Sequence, residues 1–387
     1  IRDAMGQRDV IDIGREYSRH RGACLVGALQ ELMETGDVGT TDTQLVLRQL
    51  GQHRGRLGRQ RATRPGVQID PRRQGRQCGP DGLQPGRVGR VRGEHARMIV
   101  AMSDVTRTEL LATTGWLGEQ LGRPGVRILD ARWRPDGSGS AVHGSGRIPG
   151  SIHLDWRTDL VDEVDDGASL RLARPERIAA LAERAGISSD STVVVYDDTV
   201  SLYASRVWWS LWAYGFESVR VLDGGFPAWE SEARPVTRTV VDGPLAPPTL
   251  PPTFAPHATV RGRVTTADVQ ALLGSAEVAL IDARAPAEYL GFEGNTRRLG
   301  HIPGALNVPV GGMHASGSQR LRSSDELRSR LHDANVMRGR RMIVYDGSGV
   351  AAAKLALILI MLGHEDVVVY DGGWAEWWDR LEQPEDR

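Results

Sequence analysis

The chain has 387 residues, with 48 basic and 49 acidic side chains and a formal net charge of −1. That is length enough for two domains, without the surplus of positive charge that marks nucleic acid or an anionic membrane as a partner. Two cysteines, Cys24 and Cys78, are too few for a disulfide framework and lack metal-ligand spacing. The longest strongly apolar run, Leu355 to Leu362, is far shorter than the roughly 20 residues that span a bilayer, so a cytoplasmic protein is expected.

Residues 1–97 are rich in Arg, Gly and Gln and poor in aromatics. They bury too little apolar surface to offset an ordering cost of roughly 1 to 2 kcal/mol per residue. The expectation is a disordered extension, with one short helix over Gly27–Met33 ("GALQELM"). Met98 or Met102 could be the true start, which would make this stretch translated upstream sequence or a dispensable tail.

Beyond it the chain repeats itself with a period of about 150 residues, too long for a solenoid. "RILDARW" (Arg127–Trp133) answers to "ALIDARA" (Ala279–Ala285), and "RIPGSIHLD" (Arg147–Asp155) to "HIPGALNVP" (His301–Pro309). "VVVYDDTVSLYASRVWW…VLDGGFPAW" (Val193–Trp229) answers to "MIVYDGSGVAAAKLAL…VYDGGWAEW" (Met342–Trp377). The order is the same in both halves, so one domain occurs twice, over 103–239 and 263–380. A Pro-rich linker, 240–262, joins them, and 381–387 form a tail.

In each half, short β-branched runs read as buried strands and the longer apolar segments after them as helices. The predicted fold class is therefore α/β: two tandem domains, each a mostly parallel sheet flanked by helices on both faces. In such sheets ligands bind beyond the carboxyl ends of the strands, the edge occupied by the turns at Asp197 and Asp346. The turn "YDGSGVAAAKL" carries Gly347 and Gly349, which let several backbone amides converge at a helix start and so favour an anion there. The matching turn "YDDTVSLYASR" lacks both glycines, so only the second half is expected to form a cradle. Asp346 itself reads either as a site residue or as an N-cap that satisfies its own helix.

The paired "DAR", "IPG", strand–turn–helix and "DGG…W" blocks resemble the tandem rhodanese family, which includes thiosulfate and 3-mercaptopyruvate sulfurtransferases. The resemblance runs from about Val105 to Arg380. It implies a second-domain turn that reads Cys-Gly-Ser-Gly-Val-Thr-Ala in the mercaptopyruvate-type members, whose cysteine carries sulfur as a persulfide. Here the corresponding residues are Asp346, Gly347, Ser348, Gly349, Val350, Ala351 and Ala352. The first domain of the family is the non-catalytic one and often has Asp at the matching position, as Asp197 does here.

A thiolate is a strong nucleophile that can hold a second sulfur; a carboxylate has no persulfide equivalent. The resemblance further implies a substrate arginine where Glu288 stands, and Arg297 or Arg298 as a second contact to a substrate anion. The expectation is a pseudoenzyme of the sulfurtransferase family, acting as an anion-binding or regulatory module. The alternatives are an active sulfurtransferase, the family default, and an Asp346-nucleophile hydrolase or phosphatase.

No cofactor and no metal is expected, because His143, His153 and His314 have no carboxylate or Cys partner at ligand spacing. A small anion is the expected ligand, nucleic acid and membrane are not, and no protein partner can be named. The aromatic group Trp208, Trp209, Trp212, Tyr214 and Trp229 is expected in a core or between the halves. His301 is expected to hydrogen-bond a loop, and the acidic run Asp162–Asp166 to be solvated.

Overall fold

The computed structural model describes residues 107–162, 170–238, 253–294 and 299–382, all within one compact unit spanning 88–387. The expectations for 1–97, most of the acidic run, the first part of the linker, Arg297, Arg298 and residues 383–387 of the tail lie outside the described residues.

The first half runs β1 (Leu111–Ala112), α1 (Thr114–Gln120), β2 (Val126–Asp130), α2 (Gly139–Ser145), β3 (Ser151–His153), α3 (Trp156–Asp159), α4 (Pro175–Ala185), β4 (Thr192–Tyr196), α5 (Leu202–Ala213), β5 (Val219–Leu222) and α6 (Gly225–Ser231). The second runs α7 (Thr266–Leu272), β6 (Val278–Asp282), α8 (Pro286–Tyr289), β7 (Leu306–Asn307), a 3-10 turn (Val310–Met313), α9 (Ser324–Asp333), β8 (Arg341–Tyr345), α10 (Val350–Met361), β9 (Val367–Tyr370) and α11 (Gly373–Glu382).

Two all-parallel sheets result, in the orders β1-β5-β4-β2-β3 and β7-β6-β8-β9. A single parallel bridge from Arg263 to Val369 extends the second sheet where β1 extends the first. After their first residues, the central strands "TVVVY" and "RMIVY" are apolar and buried, as strands covered by helices on both faces must be. Capping boxes at Thr265 with Asp268 and Ser323 with Glu326 start α7 and α9.

Helices α5 and α10 each follow a central strand and pack on one another, so a single apolar core runs from one half into the other. Both helices are buried almost all round, which is why neither shows a polar face. Trp208, Trp209, Tyr214 and Trp229 are buried, and Trp212 stacks on Trp208 at 5.8 Å. The described part of the linker leaves α5 through His257 N to Tyr214 O (3.0 Å) and Arg261 N to Ala213 O (3.0 Å). It reaches β9 where Gly262 O accepts from Val369 N (2.8 Å).

The repeated sequence blocks tie the turns of the two halves in the same way. Arg132 forks onto Asp130 at 2.6 to 3.1 Å and donates to Gly146 O at 2.7 Å; Arg284 does the same with Asp282 and Gly300 O. Tyr345 at the end of β8 receives Ile302 N at 3.0 Å, so "DAR", "HIPG" and the strand end form one braced corner. In "DGG", the second glycine lets the helix start approach the turn: Phe226 N donates to Asp197 O and Trp374 N to Asp346 O, both at 2.8 Å. Gly373 has φ +60°, and a Cβ there would lie 2.2 Å from Asp346 O.

Gly373→Ala should therefore destabilise the fold by on the order of 3 kcal/mol. Gly347→Ala, whose Cβ would meet nothing within 4 Å, should stay within about 0.5 kcal/mol. Urea unfolding of the two variants checks the difference.

Candidate functional site

Asp346 directly follows β8 and is 4% exposed. Its Oδ1 accepts from Gly349 N at 2.5 Å, and its Oδ2 from Ala351 N and from Ser348 Oγ, both at 3.2 Å. Gly349 is the N-cap of α10, at φ +75°, and Ala351 is its second helical residue. The carboxylate thus takes amides that the start of α10 would otherwise present to an outside anion. Burial pushes its pKa up from the ordinary carboxylate value, and the amides of Ala351 and Gly349 and the charge of Arg206 offset part of that rise.

The expectation that only the second half forms a cradle is corrected by the first half. Asp197 Oδ1 accepts from Thr199 N at 3.0 Å and Ser201 N at 2.9 Å, and its Oδ2 from Ala204 N at 2.9 Å. Without glycine the same convergence puts Val200 (φ 47°) and Ser201 (φ 59°) in the left-handed region, which is costly for a β-branched residue. The second half holds that turn in place: Gln319 Oε1 accepts from Val200 N and Gln319 Nε2 donates to Asp198 O, both at 3.1 Å. Each half therefore has a turn whose amides are taken up by its own aspartate.

Residues that sequence reasoning did not assign a role connect the halves. The first aspartate of each "DGG" accepts an amide from the opposite half: Leu321 N to Asp223 Oδ1 at 2.8 Å, and Leu172 N to Asp371 Oδ2 at 2.6 Å. Arg263 pairs with Asp371 at 2.9 Å, and Arg171 with Glu376 at 2.6 Å. Two buried cations complete the arrangement. Arg206 on α5 donates to Gly349 O at 3.2 Å; Lys354 on α10 lies 3.4 Å from both Val310 O and His314 Nδ1. Each is the fifth residue after its helix's N-cap, Ser201 or Gly349. A lone basic residue in each of two apolar helices was the available signal.

Glu288 lies half-buried on α8, and its charge reaches Arg284. Gly347 and Ser348 are half-buried, Val350 buried. His301 Nδ1 donates to Tyr289 O (2.8 Å), and its ring stacks on that of Tyr289 at 3.7 Å. The reading of His143 as lacking a carboxylate partner is corrected: the fold brings Asp130 Oδ2 to 2.7 Å of its Nδ1. Burial would raise the pKa of Asp130, but hydrogen bonds from His143, Arg132 and Tyr196 bring it to about 2. Among the described residues no group of three or more His, Cys, Asp or Glu is placed to hold a metal ion, and no helix is long and apolar enough to cross a membrane. A cavity of about 250 Å³ lined by Leu272, Val278, Pro303 and Arg340 lies at the opposite, amino-terminal ends of β6 and β8.

Two parallel-sheet domains of one pattern, each with a strand–turn–helix loop braced by a "DGG" corner, define a tandem α/β protein. Residues 113–232 and 265–380 both match the Rhodanese-like domain, and the chain belongs to the rhodanese family. It is 36% identical over 261 residues to the putative thiosulfate sulfurtransferase SseB of Mycobacterium tuberculosis, covering 67% of this chain and 89% of that one. It is 33% identical over 281 residues to the 3-mercaptopyruvate sulfurtransferase of Escherichia coli, covering 70% and 95%. The crystal structure of SseA from Escherichia coli, described as a 3-mercaptopyruvate sulfotransferase of "Rhodanese" fold, superposes with a TM-score of 0.60 at 31% identity over 68% of this chain and 98% of that one.

Burial lowers the pKa of Lys354 from 10.5 to about 7, with the charge of Asp197 acting in the opposite sense. Between these values the unfolded chain binds more protons than the folded one, so stability rises with pH across this window and is lost as pH falls through it. Stability should climb by up to about 1.4 kcal/mol per pH unit from this group between about pH 7 and 10. Lys354→Met should remove that slope, as chemical denaturation at a series of pH values would show.

Proposed function

We propose that this rhodanese-family chain does not carry sulfur, and that its remaining role is binding or regulation. The observation that carries this reading is the Asp346 carboxylate held by Gly349 N and Ala351 N at the start of α10. On the family resemblance that position belongs to the sulfur-carrying cysteine. A carboxylate can neither attack the outer sulfur of a donor to form a persulfide nor release it to an acceptor. An outside anion must displace Asp346 from the same amides, so the loop receives one only when that carboxylate is protonated or removed.

The relatives' names supply the donors to test, thiosulfate and 3-mercaptopyruvate. With cyanide as acceptor, the full chain should form no thiocyanate above the blank, since loss of a catalytic nucleophile costs on the order of a million-fold in turnover. Asp346→Cys should gain activity with at least one donor. Turnover by the parent chain would end the proposal.

A further inference from the structure

Arg206 belongs to the first half, yet it is fully buried against the turn of the second. Its Nη1 donates to Gly349 O at 3.2 Å and its Nη2 to Leu170 O at 2.9 Å; the guanidinium lies 4.9 Å over the Trp209 ring. The approach to the turn is so close that a Cβ on Gly349 would lie 2.3 Å from Nη1. Among the described residues no carboxylate comes within 4 Å of this guanidinium, and its Nε has no hydrogen-bond partner.

A fully buried, unpaired cation is costly. Here it is retained on a largely apolar helix, at the position where α10 carries Lys354. The acids whose fields reach it are Asp371 and Asp346, and Arg263 is the other cation nearby. Asp371 is already engaged by Arg263 and Leu172 N, which leaves position 346 as the anion without a cation of its own.

We propose that Arg206 is a positioning residue supplied by the first half to the second: it fixes the Gly349 carbonyl of the turn and provides the counter-charge for an anionic side chain at position 346. Lys354 faces the other way, toward Asp197, and does not serve this turn. The inference concerns the electrostatics of position 346 and rests on the reading of that turn as the site.

The test places a titrating thiol there. In the full chain carrying Cys24→Ser, Cys78→Ser and Asp346→Cys, the rate of alkylation by iodoacetamide is followed against pH. Adding Arg206→Met should raise the midpoint by about one pH unit or more, a tenfold loss of thiolate at fixed pH below it. Arg206→Gln, which can still donate to the Gly349 carbonyl, should raise it as well, whereas Arg206→Lys should hold it down and Lys354→Met should leave it unmoved. If either neutral variant that retains its circular dichroism spectrum leaves the midpoint unchanged, or if Lys354→Met shifts it as far, the inference is overturned. No sulfur donor enters this measurement. Sulfur transfer by the parent chain would therefore end the functional proposal and leave the role of Arg206 to be decided by the midpoints.

Discussion

A buried carboxylate at the head of a strand–turn–helix loop must be hydrogen-bonded, and the loop of each half meets that constraint in the same way. Asp197 and Asp346 each turn back onto the first amides of the helix that follows, and each offers its own carbonyl to the amide after "DGG". The turn, the helix start and the following loop are thereby fixed as one piece. The glycines at 225 and 373, the left-handed residues at 200, 201 and 349, and the Gln319 clamp all serve that geometry.

The second consequence is reciprocity. Neither turn is completed by its own half alone: Leu172 N and Arg206 reach the second turn and its "DGG" aspartate, and Leu321 N, Gln319 and Lys354 reach toward the first. Helices α5 and α10 carry this exchange because they are the elements that both follow a turn and bury against each other. Two domains of the same pattern thus act as a single electrostatic and packing unit around two turns whose amides are taken up by their own aspartates. Family membership sets the scaffold; on the function proposed above, the residue at 346 decides whether that scaffold can hold sulfur.

Much of the fold was legible because the sequence repeats. Two runs of "DAR", "IPG" and "DGG" in one order define two copies, and the β-branched strands before each turn announce parallel sheets buried on both faces. The second cradle was legible from Gly349, which takes the left-handed conformation expected of it, whereas Gly347 does not. The first was not, because backbone convergence there is achieved by Val200 and Ser201 against their preference, held by a glutamine more than a hundred residues away. The partnership of His143 with Asp130 and the groups that Arg206 and Lys354 face were hidden for the same reason. Each depends on which elements meet across the sheet edge or the domain contact, and no local spacing encodes that. Arg297 and Arg298, read as anion contacts, fall outside the described residues.

The most direct measurement is whether any side chain of this protein takes up sulfur. The purified chain would be incubated with excess thiosulfate, digested, and its peptides weighed by mass spectrometry, with cyanide treatment as the control that removes sulfane sulfur. If Asp346 has taken the place of a sulfur carrier, every peptide keeps its mass, including the one that spans Met342 to Lys354. A cyanide-labile sulfur atom on that peptide, or on one containing Cys24 or Cys78, would contradict it.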